Sequence, residues 1–320
     1  MKYLIVLLIT LSLICIGCNK NSNILASGNS SFLDSDDAYF GLIPPGLTPK
    51  VFAPGIVSDS SWAEHCNIAF SPRGDEIYWS AWTADYQTED GSQNTEQIFY
   101  SKYDQGSWTE PQLAEFTSNN RHGLNGGPVF SPDGKRLYFY QVKSPWTTSD
   151  MNTYYIEEVD GQWSSDPVEV GLPYNTENMD YSPIFTHIET AYKYRSGNVT
   201  KYRYSNNQFK LLEDVTFHEE FTPRWNFYMH PEEDYVIFAA MHQDGFGDVD
   251  LYISFKDETD NWSYPLNMGD KINSSLRERF PVVSPDGKYL FFMRHTETQD
   301  FFWVSTQIII DLKKQYKEIK

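Results

Sequence analysis

Cysteine is scarce in this 320-residue chain, which has three, Cys15, Cys18 and Cys66, too few for a disulfide framework. Positive charge is short as well: 25 Lys and Arg stand against 44 Asp and Glu, a formal net charge of −19. That balance excludes the basic surface that nucleic acid demands, so no nucleic-acid partner is expected. The longest apolar run, residues 4–14, would make about 16 Å of helix, too short for a hydrocarbon core about 30 Å thick. Familiar catalytic signatures are missing too, with no Gly-x-Ser-x-Gly, phosphate loop or dinucleotide fingerprint. His218-Glu219-Glu220 lacks the second histidine of a zinc helix, and Asp244, Asp248 and Asp250 lack the spacing of a calcium loop. No metal or cofactor is expected. What is plentiful is aromatic side chain, 16% of the residues, enough to fill a large core or furnish a binding face.

Residues 1–18 read as a secretory leader, with Lys2 ahead of the apolar run and Cys15-Ile16-Gly17-Cys18 at its end. The end resembles a bacterial lipoprotein signal, in which a small residue precedes the cysteine that is acylated. Gly17 and Cys18 fit that pattern, whereas Cys15 stands where Leu is usual. The resemblance implies lipidation at Cys18, and three acyl chains exceed the two signals that stable anchoring needs. An ordinary cleaved signal is the alternative. Residues 19–37, rich in Asn, Ser and Asp, suit a flexible tether, leaving 38–320 as the folded domain. Cys66 would then be the one ordinary thiol, expected as a small buried side chain.

The body repeats. FSPDGKRLYF at 130–139 and VSPDGKYLFF at 283–292 are the clearest copies, and FSPRGDEIYW at 70–79 keeps the frame. Phe185-Thr186-His187-Ile188-Glu189 and Met229-His230-Pro231-Glu232-Glu233 are weaker ones. In Ser-Pro-Asp-Gly, proline presets φ, Asp suits the turn and Gly supplies the positive φ that reverses the chain between two alternating strands. A third strand and a turn opened by Trp108, Trp163, Phe209 or Trp262 follow. Four strands recurring every 44 to 60 residues make a propeller blade, and the fold class is an all-β single β-propeller of four-stranded blades, with a β-sandwich as the alternative.

These phrases resemble WD40-like propeller repeats of the SPDG type, found in the propeller of the Tol-system translocation protein and in bacterial envelope lipoproteins. The likeness covers roughly residues 40–313. It implies a binding scaffold at the cell envelope, membrane-attached through lipid, with an envelope protein or glycan as ligand. Five copies give five blades, although the Tol-type propeller has six, so a sixth, degenerate blade stays open. The last copy lacks its own fourth strand. The segment around Lys50 and Val51 holds the same place before the first copy as Gln112 and Leu113 hold before the second. It is therefore expected to close the ring, with residues 308–317 as a short amphipathic helix outside it.

Antiparallel blades put the loops between strands two and three on one face, together with the connections between blades. Residues 80–97, 141–152 and 241–249 are expected as long loops there, carrying Trp82, Trp146 and His242. Five residues before each motif stand His65, Asn125, Asp180, Arg224 and Glu278, a polar ring expected at the channel mouth and able to bind a ligand. Asp180 and Glu278 are the carboxylates available to a glycosidase, the alternative function. A wet channel lined by polar residues accounts for the same pattern without any ligand.

Overall fold

The computed structural model describes residues 31–144, 150–176 and 179–319. The leader, Cys18 and Trp146 lie outside the described residues. The fold is a five-bladed β-propeller. Blade one begins with Trp62–Phe70, Glu76–Gln87 and Asn94–Asp104, and blade two with Leu124–Phe130, Arg136–Val142 and Asn152–Val159. Blade three comprises Ile184–Phe185, Thr190–Arg195, Asn198–Ser205 and Gln208–Val215. Blade four comprises Arg224–Met229, Tyr235–Ala240, Asp250–Phe255 and Leu266–Asn267. Blade five is Glu278–Val283, Tyr289–Arg294 and Asp300–Ser305, completed by Lys50–Val51 from the start of the domain.

The closure runs as the sequence leads one to expect. Lys50 pairs with Trp303 and Val51 with Phe302, and the Phe52 amide donates to the Phe301 carbonyl at 2.8 Å. A further staple lies N-terminal to it, so residues 31–37, expected as the end of a tether, are packed instead. Leu33 is buried over Gly74, where a Cβ would lie 2.1 Å from Leu33 Cδ2. Asp34 pairs with Lys288 of blade five at 2.8 Å, and Asp37 accepts from Tyr103 of blade one at 2.6 Å. The polar composition of the segment concealed its two apolar anchors, Leu33, which is buried, and Phe32, whose ring packs on Tyr103 and Trp108.

The repeated turn does what its residues dictate. Gly74, Gly134 and Gly287 take φ of 81°, 71° and 72°, and each amide donates to the serine three residues earlier at 2.8–2.9 Å. The weaker copies reach the same region with Glu189 and Glu233, at φ of 57° and 56°. Fourth strands are broken where proline interrupts them: Pro111 separates Ser107–Trp108 from Gln112–Leu113, and Pro167 separates Gln162–Trp163 from Val168–Glu169. Blade three has no proline there, and Gln208–Val215 is continuous. The aromatic repeats fill the spaces between blades, with Trp79, Tyr138, Phe139, Phe238 and Trp303 all buried. Helix α1, Gln307–Ile319, packs Ile309 and Tyr316 against the outer side of blades four and five, where Tyr316 stacks on Phe255 at 5.6 Å.

Candidate functional site

The first strand of each blade lies innermost, and four of the five carry an irregularity there. In blades one, two, four and five the pairing with the second strand shifts, between His65 and Ile68, Gly126 and Val129, Arg224 and Phe227, and Arg279 and Val282. Each bulge holds a residue at positive φ: Cys66 at 60°, Gly127 at 61°, Trp225 at 59° and Phe280 at 52°. The bulges turn side chains toward the axis that regular alternation would send into the blade. Asn226 of blade four thereby donates to Asn67 of blade one at 3.0 Å. These blades are not neighbours in the ring, so the bond crosses the axis and closes the channel at that level.

Of the five residues expected to ring the mouth, Asn125, Asp180 and Glu278 are buried and committed internally. Asn125 is fully buried, bonded to Asn120 and accepting from Gln141 at 2.9 Å. Asp180, also fully buried, pairs with Lys193 at 2.8 Å and accepts from the Thr176 amide. Burial draws the Lys193 ammonium below its usual value, with Asp180 opposing that shift. Glu278 is fully buried, pairs with Arg294 at 2.7 Å and accepts from the Ser274 amide at 3.1 Å. Asp180 and Glu278 thus use one device, a carboxylate capping the loop four residues back and neutralised by the second strand of its own blade. They sit in blades three and five, each paired with a cation of its own blade. Arg224 differs: it is exposed, and among the described residues no carboxylate lies within ion-pair distance of it.

Counting back a fixed five residues misaligned blades one and four, because their bulges are one residue longer than those of blades two and five, so Arg224, opposite Ala239, is the counterpart of His65, opposite Ser80. Strand pairing makes Glu64, not His65, the counterpart of Asn125 and Glu278: Glu64 lies opposite Ala81, Asn125 opposite Gln141, and Glu278 opposite Arg294. The second strand of blade one therefore supplies no partner. Glu64 is fully buried with neither carboxylate oxygen hydrogen-bonded, and burial pushes its carboxyl up to about 9, so it is a neutral acid. The Trp62 indole beside it donates to the Val57 carbonyl at 2.8 Å instead.

The bulge in blade one aims His65 and Cys66 at the same point. The His65 Nδ1 lies 2.9 Å from Glu96 Oε1 and 3.3 Å from Cys66 Sγ. Tyr140 of blade two donates to Glu96 Oε2 at 2.5 Å, and its oxygen is 3.1 Å from Cys66 Sγ. Cys66 is buried, as the sequence leads one to expect, and burial pushes its thiol up. Burial also works against charge on His65, but the neighbouring sulfur and the Glu96 carboxylate outweigh it and raise the imidazole above its ordinary value. Glu96 and Tyr140 were not singled out by the sequence; the strand that carries Glu96, Asn94–Asp104, opens with four polar residues and gives no local mark that Glu96 is buried. Trp82 is half-buried and sets its ring edge against His65, centroids 5.7 Å apart.

The loops at this face are shorter than their composition suggests. Much of 80–97 is strand, with Thr83 paired to Thr95 and Gln87 to Asn94, because polar Thr and Gln continue the alternation there. The loop 241–249 is irregular as expected and exposes Phe246 and Met241. His242 in that loop is packed, stacked on Phe221 at 4.4 Å and hydrogen-bonded to Asp244. Asp248 is occupied by Arg277 at 2.6 Å, and Asp250 accepts from the Phe246 and Gly247 amides.

The sequence matches no protein-family model and no curated protein. Solved structures are similar at low identity. Prolyl oligopeptidase B from Galerina marginata aligns with 13% identity and a TM-score of 0.42, covering 73% of this chain and 31% of that chain. TolB from Agrobacterium tumefaciens aligns with 13% identity and a TM-score of 0.43, covering 72% of this chain and 69% of the other. For xylan β-1,4-xylosidase from Bacillus halodurans C-125 the identity is 14% and the TM-score 0.41, with 77% and 53% covered. This chain spans less than a third of the oligopeptidase and about half of the xylosidase. These likenesses concern the fold alone.

Proposed function

We propose that this chain is a lipid-anchored, noncatalytic binding module of the bacterial cell envelope, held to a membrane through Cys18 and taking a protein or glycan ligand at the face that bears the inter-blade connections. The observation that carries the reading is the contrast within the polar ring. Asp180 and Glu278, the acids a hydrolase would need, are each paired with a cation of their own blade, whereas Arg224 is exposed and, among the described residues, has no carboxylate within ion-pair distance. Phe246 is half-exposed in the loop 241–249, which follows the second strand of the same blade. An exposed guanidinium and an exposed aromatic on one blade suit the carboxylate and the apolar part of an acidic sugar or of a peptide, bound by contact and not by chemistry.

A glycan array and a pull-down from envelope extract, both with the full anchored chain, test the proposal together. Binding by the native chain that falls at least tenfold in Arg224→Ala and Phe246→Ala supports it. Binding unchanged in both variants, or hydrolysis of a bound glycan, refutes it. Labelling of the chain by a radioactive fatty acid, lost in Cys18→Ser, checks the anchor; labelling that persists in the variant removes it.

A further inference from the structure

The cluster at the bulge of blade one has a composition that ordinary packing does not call for. Three different donor types converge, an imidazole nitrogen, a sulfur and a carboxylate oxygen, and their donor atoms lie within 4.8 Å of one another. Adjacent residues of a regular strand point to opposite sides, so His65 and Cys66 can share one point only because Cys66 sits at φ 60°. Around a tetrahedral ion with bonds of about 2.0–2.3 Å, neighbouring donors stand roughly 3.3–3.7 Å apart. The 2.9 Å and 3.3 Å separations here need to open by only a few tenths of an ångström.

The surroundings are arranged for this as well. Glu96 is fully buried, and among the described residues its one charged partner is His65. Its second oxygen is held by the Tyr140 hydroxyl, the kind of outer hydrogen bond that orients a ligating carboxylate. Gly126 provides the room: a Cβ there would lie 2.3 Å from Glu96 Oε1 and 2.5 Å from the Tyr140 oxygen. The His65 ring is fixed between the edges of Trp82 and Phe280, at 5.7 Å and 5.6 Å. Its side chain is 25% exposed against 1% for Glu96, so the cluster opens to solvent on the imidazole side alone.

We propose that His65 Nδ1, Cys66 Sγ and Glu96 Oε1 form a mononuclear site for a borderline divalent cation of the zinc type, with the exposed side of His65 leaving one coordination position open to a small ligand. The mix of nitrogen, sulfur and oxygen suits zinc, which accepts all three, better than magnesium or calcium, which require oxygen. Three protein ligands with a fourth position open is the pattern of a site that also binds water or an anionic group. On binding, the thiol proton and the proton that His65 Nδ1 shares with Glu96 leave to the buffer, and the imidazole keeps one proton at Nε2. The result is neutral, one dication against a thiolate and a carboxylate, as a buried site requires.

Cobalt titration of the reduced full chain reads the site directly, because cobalt replaces zinc and reports sulfur ligation by a charge-transfer band. The expected result is that band at one equivalent, with visible ligand-field bands of four-coordinate strength, both abolished by stoichiometric zinc. Cys66→Gly removes the sulfur yet suits the backbone, since Gly127 holds the corresponding position of blade two at φ 61°. It should fold, lose the band and bind zinc at least tenfold more weakly; Glu96→Gln should show the same tenfold loss. Absence of the band in the native chain, or undiminished zinc affinity in Cys66→Gly, overturns the proposal.

Discussion

Asn226 donates a hydrogen bond to Asn67 at 3.0 Å, joining blade four to blade one across the axis of the ring. Both residues follow a position of left-handed backbone, Trp225 and Cys66, and both sit in a bulge two residues longer than the opposing strand. The contact across the axis thus depends on backbone irregularity in both inner strands. Any ligand meets a mouth, not a passage.

Asn226→Ala should destabilise the domain by about 1–3 kcal/mol, since it strands a buried amide on Asn67. Asn67→Ala should cost a similar amount, and the double variant less than the sum of the two. Urea denaturation measures all three. Fully additive losses would show that the two amides do not act as a pair.

Tyr39 ties the N-terminal segment to blade five: its hydroxyl donates to Asp286 at 2.9 Å and its ring packs on Tyr289, Phe291 and Trp303. Tyr39→Phe should cost about 1 kcal/mol for the lost hydrogen bond, and Tyr39→Ala about 3–5 kcal/mol for the emptied space. Equal losses in thermal denaturation would assign the whole effect to the hydroxyl.

Glu64 has no partner where Glu278 has Arg294 and Asn125 has Gln141. Replacing it by an apolar side chain of like length, Glu64→Met, should stabilise the fold by roughly 1–3 kcal/mol, because no hydrogen bond is lost and a buried polar group is removed. A lowered midpoint in denaturant would show that the carboxyl is held by something beyond packing.

Glu233 binds blade three to blade four, accepting from Thr190 at 2.7 Å and pairing with Lys201 and Lys256, each at 3.0 Å. Burial opposes its charge, but these partners and Tyr192 outweigh it and lower its carboxyl to about 2. A carboxylate depressed in the folded state contributes stability above its unfolded value, near 4.5, and loses it as pH falls toward 2. The native chain should therefore exceed Glu233→Gln by about 2–3 kcal/mol at pH 6–7. The gap should narrow between pH 5 and 2, and a gap independent of pH would assign the effect to packing.

Much of this architecture follows from local chemistry that a sequence displays. Ser-Pro-Asp-Gly fixes a turn within four residues, alternation fixes the flanking strands, and the missing fourth strand of the last copy calls for Lys50 and Val51 to supply it. Even the apolar positions of α1 are spaced to cover blades four and five. The site is different in kind. Of the four left-handed positions in the bulges only Gly127 is glycine; Cys66, Trp225 and Phe280 carry no local mark of their conformation. A count along the chain consequently selected His65 where pairing selects Glu64, and placed Asp180 and Glu278 at a mouth where each is buried beside its cation.

What the sequence by itself determined, then, is the blade and the seam, because each depends on contacts between residues close in the chain or on one unmet strand edge; that there are five blades and not six was decided by the structure. What only the tertiary structure decided, besides that number, is which side chains meet. Glu96 reaches His65 over 31 positions and Tyr140 reaches Cys66 over 74, and those meetings depend on how far each inner strand bulges toward the axis. A shift of one or two residues there exchanges a channel-facing side chain for a buried one, and that shift is settled by packing between blades, not by any residue alone.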